Sequence, residues 1–110
     1  MIENKTIIAG EWKSRQVYLN GRYISPRPSQ GVWNHSPDGF SWGYAGSGPA
    51  QLALAILLKF TDRETAIRLH QRFKQQIIAP LPQASFRIEI NVAGWVNEQL
   101  RIDKTGDQGL

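Results

Sequence analysis

The segment NHSPDG (Asn34 to Gly39) sets a histidine, a serine and an aspartate side by side, and Ser47 follows shortly after. Hydroxyl, imidazole and carboxylate are the parts of a nucleophilic hydrolase, in which the carboxylate orients the histidine and the histidine takes the serine proton. His35 and Asp38, however, stand three apart in one tight turn. There they cannot readily orient each other and still reach Ser36 or Ser47, so bonds from both side chains to the turn's own backbone are the better reading. Metal chemistry is poorer still. The chain has two histidines and no cysteine, and His70 falls on a different helix, at the edge of its buried stripe, so no metal site is expected.

A second candidate lies just beyond, in WGYAGSGPAQ. Gly46, Ser47 and Gly48 let backbone amides approach a ligand closely, and a helix starting there adds partial positive charge. That combination suits phosphate or carboxylate. The pattern is not a P-loop, which needs a lysine after its second glycine, and Gly43-x-x-Gly46-x-Gly48 is not the dinucleotide spacing. The competing reading is that small residues simply let a strand turn sharply into a helix close to the sheet, with Ser47 as the cap. If a ligand sits here, the residues expected around it are Asn34, His35, Tyr44, Gly46, Ser47, Gly48 and Gln51. A third candidate is aromatic. Tyr23, Trp33, Phe40, Trp42 and Tyr44, beside Arg22 and Arg27, would suit a stacked base. Phe40 and Trp42 are better placed in the core, and Trp33 and Tyr44 at its margin. With Arg68 and Arg72, beside Arg63 and Lys74 on a mildly basic helix face, Tyr23 and Trp33 form the expected interaction surface.

The elements that must carry these residues are legible in part. In QVYLNGRYI, two short strands flank Asn20-Gly21, the dipeptide most at ease in a type I′ turn, and a strand over Thr6 to Trp12 can join them. Ser25 to Gly31, with two prolines, reads as a loop. Around the turn Ser36-Pro37-Asp38-Gly39, Val32 to Asn34 and Phe40 to Tyr44 predict a second hairpin with its three aromatics on one face. A helix over about Pro49 to Lys59 is apolar all round, which belongs in the middle of a protein. Another opens with the capping box Thr61-Asp62-Arg63-Glu64 and points Ala66, Leu69 or His70, Phe73 and Ile77 inward. FRIEI alternates as a half-buried strand, and Asn91 caps a short helix to about Gln99. The fold class is therefore α+β: a mostly antiparallel sheet of about four or five strands against two main helices plus a short C-terminal helix.

Composition narrows the classes. The chain has 110 residues, 41% hydrophobic and 20% charged, which suits one globular domain (1–110), ordered over about 6–101 with frayed ends. The absence of cysteine, of an N-terminal secretory pattern and of any apolar run near membrane-span length points to a cytoplasmic protein with no membrane association. A net charge of +4 favours acidic or phosphorylated partners and admits nucleic acid without favouring it.

The block NHSPDGFSWGYAGSGPAQLALAILL resembles a family of small, uncharacterised bacterial and phage proteins carrying N-H-S-P-D-G-F-x-W-G-Y-x-G-S-G-P-A-Q-L-A-L-A, with Ala45 in the variable slot. The likeness is strong over Asn34 to Leu58 and looser to the tryptophan-containing end. It implies a shared fold but no assigned activity, and its phage context suggests roles in phage–host conflict. The reading favoured is a small non-enzymatic protein binding a nucleotide or other phosphate-bearing ligand at the glycine junction, with no cofactor. The alternative is a phage or mobile-element interaction or inhibitor protein of the anti-defence type, contacting a host protein or pairing as a homodimer. A Ser/His hydrolase comes third.

Overall fold

The computed structural model describes residues 5–108. Four strands, β1 (Thr6–Gly10), β2 (Val17–Leu19), β3 (Arg22–Ile24) and β4 (Phe86–Ile90), form one antiparallel sheet in the order β3-β2-β1-β4. Between β3 and β4 come α1 (Arg27–Val32), α2 (Ser47–Leu57) and α3 (Arg63–Phe73), and α4 (Val92–Gln108) follows β4. The Asn20-Gly21 hairpin forms as its sequence predicts: both residues have positive φ, 51° and 80°, and Val17 pairs with Ile24. Pleating sends Ile8, Val17, Leu19 and Ile24 into the core, while Tyr18 and Tyr23 pair edge-on across the outer face.

Helix α2 is the centre of the molecule, with every residue from Gly48 to Leu57 buried. It packs against α1 and α3. Such all-round burial is what its all-round apolar sequence demands. Asp62, not Thr61, caps α3: its carboxylate accepts from the Thr65 amide at 3.1 Å, and this bond holds its pKa below the usual range. Past Phe73 the chain continues as a π-helical turn, Lys74–Ile78, closed by Ala79 N–H donating to the Lys74 carbonyl at 2.8 Å. The extra residue per turn rotates the buried stripe by one position. Ile78 is therefore fully buried where the regular helical period predicts Ile77.

Three expectations about elements are corrected. Ser25 to Gly31 is not a loop: α1 begins at Arg27, and Pro28 is tolerated because the first turn's amides have no intrahelical acceptor. The second hairpin does not form. Phe40 and Trp42 are buried, but Tyr44 is exposed, because Gly43 turns the chain at φ 84° and gives its amide to the Ile78 carbonyl. Trp42 anchors the segment, its indole N–H donating to the Ala84 carbonyl at 2.8 Å. Finally, α4 is long. Asn91 caps it as predicted, accepting from the Gly94 amide at 2.8 Å, but the helix runs to Gln108, and Arg68 and Arg72 of α3 pair with its Asp103. The helix thus passes its expected end near Gln99, while the fraying expected at residues 1–4 and 109–110 lies outside the described residues. Among the described residues no helix is long and apolar enough to cross a membrane.

Candidate functional site

The segment Trp33 to Pro37 joins α1 to the chain leading into α2, and the buried side chain of Gln51 determines its course. Gln51 is 0% exposed. Its Oε1 accepts from the amides of His35 (2.7 Å) and Ser36 (2.9 Å). Its Nε2 donates to Ser29 Oγ (2.8 Å) and to the Trp33 carbonyl (3.1 Å). A primary amide has two lone pairs and two protons to offer, so Gln51 is saturated. Gln30 adds a second tie, donating to the Ser36 carbonyl at 2.8 Å. Gln51 is therefore a clamp for the loop and not a ligand contact, which corrects its place in the predicted site.

The clamp presents His35 to His70. Their Nε2 atoms lie 2.9 Å apart. His70 Nδ1 is 2.6 Å from the Ile67 carbonyl, which can only accept, so Nδ1 carries the proton and Nε2 is bare. His35 Nε2–H must then be the donor. Burial, the largest influence on each, pushes both imidazoles below their ordinary pKa; for His35 the neighbouring His70 adds to it, and Lys74 adds to it for both. Trp33 closes the cluster, stacked on His35 with centroids 4.4 Å apart and edge-on to His70 at 5.4 Å. Its indole remains 48% exposed.

This arrangement corrects two expectations. His35 does not fix the Ser36-Gly39 turn, which closes through Gly39 N–H and the Ser36 carbonyl; its ring is given to His70. His70 is not at the edge of its helix's stripe but is 1% exposed. Among the described residues no serine hydroxyl is bonded to His35, so the parts of a hydrolase do not meet. The signal that could have paired the histidines was present. A histidine in line with Ala66, Leu69 and Phe73 needs a polar partner, and one other imidazole exists in the chain.

The glycine junction is a separate construction. Gly46 precedes α2 without any side-chain cap, and no acidic residue occupies the first turn. Pro49 has no amide N–H, so the turn's N–H groups are those of Ser47, which is exposed, and Gly48, which is buried. The Tyr44 ring crosses Gly46, and its hydroxyl reaches within 3.3 Å of where a Gly48 Cβ would stand. A Cβ there would also lie 2.7 Å from Ser41 Cβ and 3.1 Å from the Ser41 amide nitrogen, so glycine alone lets α2 start this close to Ser41. Arg15 Nε donates to Ser41 Oγ at 3.4 Å. The guanidinium lies over Trp12, 3.4 Å from the ring centroid, and makes no ion pair among the described residues. It also lines a cleft of about 210 Å³ with Asp38 and Phe40. Arg15 was not predicted, because nothing local links it to Ser41.

Of the predicted ligand residues, then, Tyr44, Gly46, Ser47 and Gly48 come together. His35 and Gln51 belong to the loop cluster, and Asn34 is exposed beside them. The predicted interaction surface is also divided. Tyr23 stands on the outer sheet face and Trp33 on the histidine pair. Arg68 and Arg72 are engaged with α4, Arg72 also donating to Gln99 Oε1 at 2.9 Å, so they are not a free basic face.

A four-stranded antiparallel sheet covered on one face by helices makes this a small α+β domain, with a central helix that is buried from Gly48 onward and has no side-chain cap. The chain belongs to the family of unknown function DUF6166, whose model matches residues 9–98. No curated protein and no solved structure matches it.

Proposed function

We propose that the domain is a small non-enzymatic binding protein that takes a phosphate-bearing ligand, a nucleotide among them, on the first turn of α2. The observation that carries this reading is the uncapped helix start, where the exposed Ser47 leads into the buried Gly48, with Arg15, which makes no ion pair among the described residues, bonded to the Ser41 that packs against Gly48. Two amides remain at the positive end of an 11-residue helix, where the dipole is equivalent to about half a charge. Tyr44 and Ser47 add hydroxyls, and Arg15 adds a cation held by Trp12 and Ser41. Calorimetric titration with inorganic phosphate, AMP and ATP tests it. Binding is expected to weaken at least ~10-fold in Ser47→Asp, whose carboxylate would put a negative charge at the helix start in competition with the anion, and in Arg15→Gln, but to persist in His35→Gln. No binding by any of the three, or wild-type affinity in Ser47→Asp, overturns the reading.

Trp33 supports a second reading, that of a protein-interaction module. An indole half exposed on a clamped loop is the kind of rigid aromatic anchor that dominates protein interfaces. Partner capture that is unchanged in Trp33→Ala contradicts it.

A further inference from the structure

The two imidazoles meet through the same ring atom, and their surroundings hold them in that attitude. The Ile67 carbonyl takes the Nδ1 proton of His70, the orientation that metal-ligating histidines are characteristically given by a carbonyl on the far nitrogen. His35 is fixed by Gln51 through its own amide and by the Trp33 ring stacked on it. Gln71 reaches the same point from the next residue of α3, its amide nitrogen 3.4 Å from His70 Nε2. Turned over, that amide offers Oε1 instead.

We infer that His35 Nε2 and His70 Nε2 form a site for one first-row divalent ion of the imidazole-preferring kind, Zn²⁺, Ni²⁺ or Cu²⁺, with Gln71 Oε1 and water completing the shell. Two nitrogens at ~2.0–2.1 Å from one tetrahedral ion are roughly 3.3–3.4 Å apart. The pair, now at 2.9 Å and joined by the His35 Nε2–H, therefore has to give up that hydrogen bond, open by roughly half an ångström and tilt both rings toward the ion. The proton between the rings leaves His35 Nε2 and returns on its Nδ1, so the imidazole stays neutral and nothing is oxidised or reduced. Lys74 lies close enough to act on both rings and works against an added cation. Among the described residues no group of three or more His, Cys, Asp or Glu gathers around a metal position, so this is a two-imidazole site of moderate affinity. It shares no residue with the first turn of α2.

The test is calorimetric titration of tag-free protein with ZnCl₂ alone and with CuSO₄ alone, alongside long-range ¹H–¹⁵N spectra of the histidine rings. One ion per chain is expected, with both Nε2 resonances displaced. His35→Gln, at a partly exposed position, is expected to weaken binding at least ~10-fold, and Lys74→Gln to tighten it, a gain that misfolding would not produce. Failure of both ions to bind, equal affinity in wild type and His35→Gln, or displacement of one Nε2 alone overturns the proposal. Phosphate binding is unaffected by either outcome, so the two sites stand or fall separately.

Discussion

Replacing Gln51 by leucine removes the clamp while keeping most of the buried volume. Four hydrogen bonds disappear: two from the His35 and Ser36 amides, one to Ser29 Oγ and one to the Trp33 carbonyl. At about 0.5–1.5 kcal/mol net for each bond, the sum runs from about 2 to 6 kcal/mol. The lower half applies, because the loop groups are only partly buried and regain water, and Ser29 keeps the Pro26 carbonyl at 2.8 Å. A loss of about 2–3 kcal/mol is therefore expected, which at about 4 °C per kcal/mol lowers Tm by about 8–12 °C. Urea and thermal melts followed by circular dichroism measure the loss. Amide hydrogen exchange locates it, since His35 and Ser36 should lose protection first. Ser29→Ala, which removes one of the four bonds, should cost about 1 kcal/mol. A Gln51→Leu protein within about 0.5 kcal/mol of wild type, with His35 and Ser36 still protected, would refute the clamp.

Acid should loosen the histidine cluster. Both folded-state pKa values lie below the ordinary 6.5, so the unfolded chain takes up protons first; stability is complete above pH 6.5 and falls as pH drops below it. For His70 the slope in that window approaches about 1.4 kcal/mol per pH unit, and urea midpoints at a series of pH values should flatten below pH 6.5 in His70→Gln. Gly43→Ala should destabilise by at least about 1–2 kcal/mol, because φ is 84° and a Cβ would stand 3.0 Å from the Leu81 carbonyl oxygen; an unchanged melting temperature would contradict the turn assigned there.

What the sequence disclosed was what neighbouring residues decide among themselves. The Asn20-Gly21 turn, the alternation of β4 and the Asn91 cap each rest on contacts within a few positions, and each is found. Helix α2 was legible because its apolarity left no surface to expose. The second hairpin misled because Phe40, Trp42 and Tyr44 have the right period, while the deciding bond, from the Gly43 amide to the Ile78 carbonyl, comes from a distant turn. Helix α4 likewise extends past its expected end, where Asp103 meets two arginines of α3 that no local spacing announces.

The site was divided by the same distinction. The glycines announced the uncapped start of α2, since their conformational freedom and the missing Pro49 amide are local properties. Arg15 meets Ser41 across a long stretch of chain, as His35 meets His70, and no spacing rule joins them. Gln51 looked like a ligand contact because it follows the glycine junction directly; only the fold shows that all of its bonding capacity is turned toward the loop.

The central claim, an anion seat on the first turn of α2, is tested most directly by following backbone amides in a ¹H–¹⁵N titration with inorganic phosphate and then AMP. The account predicts saturable shifts largest at Ser47 and Gly48, with Tyr44 and the Arg15 side chain responding, and their loss in Ser47→Asp. Spectra in which Ser47 and Gly48 stay still while other residues move, or in which nothing moves at millimolar ligand, would contradict it.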